Sequence, residues 1–97
     1  MWTGTLELDL RLGDVHSLKG KRSVVRPLVA EIRRRHDVAV AEVDHVDLHQ
    51  RTVVGVAAVS ADQAHVTDVL DAVERMVAGR PEVELLSARR AVRSSDD

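Results

Sequence analysis

The chain has 97 residues, a formal net charge of −2, no cysteine and a single aromatic residue, Trp2. That length predicts one domain able to bury roughly 60 to 65% of its unfolded surface, and the lack of cysteine excludes a disulfide framework and Cys-based zinc sites. No apolar run approaches the ~18 residues of a membrane-spanning helix, and Met1 to Gly13 alternates instead of forming the apolar block of a signal peptide, so a soluble cytoplasmic protein without a membrane partner is expected.

Trp2 to Leu12 places Leu6, Leu8, Leu10 and Leu12 on one face and Thr5, Glu7, Asp9 and Arg11 on the other, which is the pattern of a strand with one buried side. Gly13-Asp14 breaks it. Ser17 is a good helix N-cap, and Val25, Leu28, Val29 and Ile32 recur at helical spacing, so Leu18 to about Arg35 reads as an amphipathic helix roughly 27 Å long. Pro27 removes one backbone N–H within it and predicts a kink or local break, yet the apolar stripe stays in phase on both sides.

The charges on this helix carry the functional reading. From Ser17 to His36 there are seven Lys or Arg residues and one Glu, a balance of +6, so the rest of the chain carries −8. At ~100° per residue Lys19, Arg22, Arg26 and Arg33 fall on one flank. Lys19, Lys21 and Arg22 occupy the first turn and a half, where the helix dipole disfavours cations by ~0.3 to 1 kcal/mol each. Free N–H groups, flanking cations and Gly20 together make an anion site, with Ser17, Lys19, Lys21, Arg22, Arg26 and Arg33 as its residues. The alternative is a solvated basic face that keeps a small domain soluble and pairs with the acidic remainder.

Asp37 to Asp44 and Thr52 to Ser60 read as second and third strands, joined by a polar connection, Asp44 to Gln50; Gly55 marks a bulge or the close approach of a helix. Ser60 and Gln63 have capping-box spacing and open a second helix striped by Val66, Val69, Leu70, Val73 and Val77, which Gly79 and Pro81 end. Glu82 to Val92 is a fourth strand. The order gives an α+β, ferredoxin-like βαββαβ sandwich: a four-stranded antiparallel sheet with two helices on one face, spanning residues 1–92, with residues 93–97 as a disordered tail. The second strand falls at a sheet edge, and an apolar edge such as Val38 to Val43 invites a second copy, so a homodimer is expected.

The runs SLKGKRSVVRPL, HDVAVAEVDHVDLHQRTVVGVAAVSAD and PEVELL resemble the small bacterial DUF503, or YlxP-like, family over nearly the whole chain, from Thr3 to about Val92. The most specific pieces are Ser17-Leu18-Lys19 with Lys21-Arg22, Ala41-Glu42-Val43, Asp47 with Gln50-Arg51, and Gly55-Val56 to Val59-Ser60 with Asp62. The resemblance implies the ferredoxin-like fold, a cytoplasmic bacterial protein and no established enzymatic activity. Genes of the family often lie beside those for transcription and translation factors, including the ribosome-binding factor A, which implies a role near RNA or the ribosome. His36-Asp37 departs from the aromatic-Asn pair usual there, and His49 replaces a large side chain.

An open sheet that stacks bases needs Phe or Tyr, and the chain has neither, so RNA contact falls to the helix flank and is backbone-directed. Asp44, His45, Asp47 and His49 are suitable metal ligands at no specific spacing, and a polar turn explains them equally. Glu42, inside an apolar strand, is expected at the surface or paired with a cation such as Arg51. Acyl phosphate hydrolysis, known on this fold, needs an Arg-bearing phosphate loop and an Asn; the first loop is Gly13-Asp14-Val15-His16 and the chain has no Asn. No catalytic residue, metal, cofactor or small-molecule substrate is assigned. The expected function is non-enzymatic contact with RNA or the ribosome through the first helix, the alternative a homodimeric interaction or regulatory module.

Overall fold

The computed structural model describes residues 1–96. Its elements follow as β1 (Trp2–Leu12), α1 (Leu18–Arg35), β2 (Ala39–Asp44), β3 (Arg51–Ser60), α2 (Gln63–Ala78) and β4 (Val83–Ser94). They form one antiparallel sheet in the order β2-β3-β1-β4, which is the ferredoxin-like arrangement. β1 is central because its leucines supply the widest apolar face: Leu6, Leu8, Leu10 and Leu12 are all buried. Opposite them in register, Val56, Val54 and Thr52 of β3 turn the same way. Val66, Leu70, Val73 and Val77 of α2 and Leu28 and Ile32 of α1 close this core from one side.

Several local features differ from the sequence pattern. α1 runs unbroken through Pro27. The cap of α2 is Asp62, whose Oδ1 accepts from the Ala64 N–H at 3.0 Å, while Ser60 Oγ accepts from the Asp62 N–H instead of opening a capping box. β4 continues past the expected start of the tail, because Arg93 and Ser94 pair with Thr3 and Trp2. Gly55 faces away from the helices and lies under Val43, where a Cβ would come within 2.7 Å of Val43 Cγ1. The glycine that admits a helix is Gly4, since a Cβ there would meet Leu70 Cδ1 of α2 at 2.8 Å. Two register shifts, between Asp9 and Leu10 against β4 and between Glu42 and Asp44 of β2, interrupt the pairing, which resumes on the far side of each.

Candidate nucleic-acid interface

Ser17 holds extended backbone (φ −153°, ψ 160°) and its Oγ accepts from the Gly20 N–H at 3.0 Å, so the N-cap forms as the sequence predicts. Gly20 serves this cap and does not form an open cradle: a Cβ there would sit 3.2 Å from Ser17 Oγ and 3.6 Å from Val15 Cγ1. The first turn contains no acid, so the dipole offers no internal reason for Lys19 and Arg22 to stand there.

Lys21 is the principal correction to the predicted site. It is 2% exposed, and its Nζ lies 2.8 Å from Glu42 Oε2 while donating to the carbonyls of His45 at 2.6 Å and Val46 at 3.2 Å. Its ammonium is thus surrounded by acceptors of the chain itself. The reason is angular: four residues before Val25, Lys21 sits ~40° from it and therefore on the core-facing stripe, with Val25, Leu28 and Ile32. Glu42 meets it because Val40 and Glu42 alternate toward the helices, and the same carboxylate oxygen accepts from the buried hydroxyl of Thr52 at 2.5 Å. Arg51, the partner expected for Glu42, is bound instead to Asp9 through Nε and Nη2 at 2.8 to 3.2 Å. The readable signal was a lone cation on an apolar stripe and a lone acid in an apolar strand.

The remaining predicted residues divide. Arg22, Arg26 and Arg33 come together along one wall of a groove of about 440 Å³ between α1 and the β2 side of the sheet. Lys19 and Ser17 stand outside its lining, near the helix start. Among the described residues, Lys19, Arg22 and Arg26 have no ion-pair partner. Arg33 donates through Nη2 to the carbonyl of Val40 at 2.9 Å, on the edge strand expected to receive a second copy. Arg34 and Arg35 turn toward Glu31, which also binds Arg80, and so leave the basic flank.

The opposite side of the groove is the β2–β3 connection. His45 there has a positive φ of 55°, the left-handed region, and its N–H is held by Asp44 Oδ1 at 2.7 Å. The two carbonyls that receive Lys21 fix this turn against α1, and Val46 and Asp47 then line the groove. Asp44, His45, Asp47 and His49 do not gather into a metal-binding group, nor do any three such side chains among the described residues. Within those residues no helix is long and apolar enough to cross a membrane.

A family model described as "Protein of unknown function (DUF503)" matches residues 3–90. The chain belongs to the DUF503 family. A relative within reach of this DUF503 protein is the "Uncharacterized protein YlxP" of Bacillus subtilis (strain 168), 31% identical over 81 residues that cover 84% of this chain and 88% of that protein. The match to the DUF503 model spans β1 through most of β4 and so includes the whole of the α1 groove.

Proposed function

We propose that this DUF503 protein is a non-enzymatic cytoplasmic protein that meets RNA, free or within the ribosome, through the exposed flank of α1. The observation that carries the reading is the grouping of Arg22, Arg26 and Arg33 along one wall with no carboxylate paired to any of them among the described residues. Glu42, which lines the same groove, has its Oε2 committed to Lys21 and the Thr52 hydroxyl, so much of its charge is already balanced inside the fold. Arginine suits phosphate through its planar fork of donors, and such contacts position a backbone without reading sequence. The buried amine of Lys21 is surrounded by three acceptors and is not poised as a nucleophile.

Titration of labelled structured RNA at increasing salt tests this reading. Affinity is expected to fall with a log–log slope of about −0.7 to −0.9 per phosphate contacted. Replacing Lys19, Arg22 and Arg26 by Ala should weaken binding at low salt at least tenfold while the melting temperature holds. Binding that ignores both salt and these substitutions overturns it.

A second reading, homodimerisation, draws on a different surface. On the sheet face away from the helices, Val43 and Val59 are 52% and 64% exposed beside Ala39, Ala41 and Ala57. Pairing along the β2 edge is opposed by Arg33 on the Val40 carbonyl, so face-to-face stacking is the favoured geometry. Sedimentation at several concentrations, with Val59→Glu as control, checks it; a single monomeric species throughout is the contrary result.

A further inference from the structure

The groove beside α1 is more than a basic strip. Leu18, Val25, Val29 and Val46 give it an apolar lining, and two carboxylates, Glu42 and Asp47, line it as well. Asp47 has no hydrogen-bond or ion-pair partner among the described residues. Glu42 engages only Oε2 with Lys21 and Thr52, so its Oε1 retains acceptor capacity. A purely anionic occupant, such as duplex phosphates lying along the groove or an acidic peptide, would gain from the arginines and be repelled by these oxygens. The chemistry that satisfies all three parts is an anionic group joined to a planar apolar body that also carries N–H donors.

Resting on the reading above, we infer that the groove receives one unpaired nucleotide of a single-stranded RNA. Flanking phosphates lie on Arg22 and Arg26, the base lies along Val25, Val29 and Val46, and an exocyclic amine donates to Asp47 or to Glu42 Oε1. A carboxylate accepting from the cytosine amine is an established pairing, and guanidinium planes can stack on a base where aromatic rings are lacking. The space, about 440 Å³, lies within the range of small-ligand sites. Lys21 acts here as a positioning residue, since it holds the turn that carries Val46 and Asp47 at its distance from α1.

Fluorescence anisotropy with labelled oligocytidine, oligouridine and duplex RNA of equal length, at one low salt concentration, tests the inference. Wild type should bind oligocytidine at least fivefold more tightly than oligouridine, whose base places a carbonyl where cytosine has the amine. Ala30→Leu, on an exposed helix position lining the groove, fills it without changing charge. It should weaken oligocytidine binding at least fivefold and leave duplex binding within twofold. Asp47→Asn should narrow the cytosine preference. Equal binding of all three nucleic acids, indifferent to Ala30→Leu, overturns the nucleotide slot and leaves the phosphate reading standing. No binding to any of them overturns both. Free cytidine monophosphate should displace oligocytidine only at much higher concentration; if it binds more tightly than the strand, the occupant is a free nucleotide and the RNA assignment falls.

Discussion

A buried ammonium is stable only if it is paired and its donors are satisfied, and Lys21 meets both conditions through Glu42 and the two turn carbonyls. Removing it strands the carboxylate on Thr52 and frees the His45–Val46 turn. Lys21→Met is therefore expected to cost about 3 kcal/mol, at the low end for broken buried pairs because the Glu42 side chain keeps 22% exposure. Glu42→Gln added to it should recover part of that loss, with a coupling of about 1 to 3 kcal/mol in a double-mutant cycle measured by urea unfolding. Additive losses would mean that the two side chains do not act as a pair. This residue also marks where reading from sequence stops. Its place in the first turn and a half groups Lys21 with Lys19 and Arg22, whereas its angle to Val25 groups it with the core, and only the placement of Glu42 decides between them.

At the scale of elements, α1 begins where Ser17 caps it and ends with Arg33, Arg34 and Arg35 in the last turn, where cations favour the dipole. Ser17→Ala removes the acceptor of the Gly20 N–H and is expected to destabilise by about 1 kcal/mol, seen as a melting point lower by roughly 4 to 8 °C. An unchanged melting point would place the helix start elsewhere. The element order was legible because each period is clean: alternate leucines in β1, a 3.6-residue stripe in both helices, and Gly79 with Pro81 at a helix end. What escaped was local competition between caps and pairs. Ser60 and Asp62 both offer an oxygen near the start of α2, and geometry awards the helix N–H to Asp62. Arg33 looked like one more surface cation, and its reach to the Val40 carbonyl depends on how closely α1 lies beside β2, which no spacing within the helix encodes.

For the whole molecule, the charge asymmetry read from the sequence survives in altered form. Glu31 collects Arg34, Arg35 and Arg80, and Lys21 turns inward, so the cations of α1 without an ion pair among the described residues reduce to a shorter row of Lys19, Arg22, Arg26 and Arg33, the last already donating to the Val40 carbonyl. Fewer phosphates can be met at once, and the salt slope should be correspondingly shallow, near that of three or four contacts. A slope far steeper would require a second basic surface. Such a surface could draw on Arg89 and Arg93 of β4, which have no ion pair among the described residues.

Of the four strands β1 is made before the others, and one of its two neighbours, β4, is made after them all. β1 has one side against β3 and the other against β4, with Trp2 matched to both Ser60 and Ser94. On a ribosome adding about 5 to 20 residues per second, its leucine face waits for α2 and its second hydrogen-bonding edge waits roughly 4 to 16 s for β4 to arrive. A fragment ending at Ser60 is thus expected to show no cooperative melt by circular dichroism, since it lacks both α2 and that last partner. Until β4 is translated, the nascent chain presents a sticky, half-zipped ribbon to any chaperone at the exit tunnel.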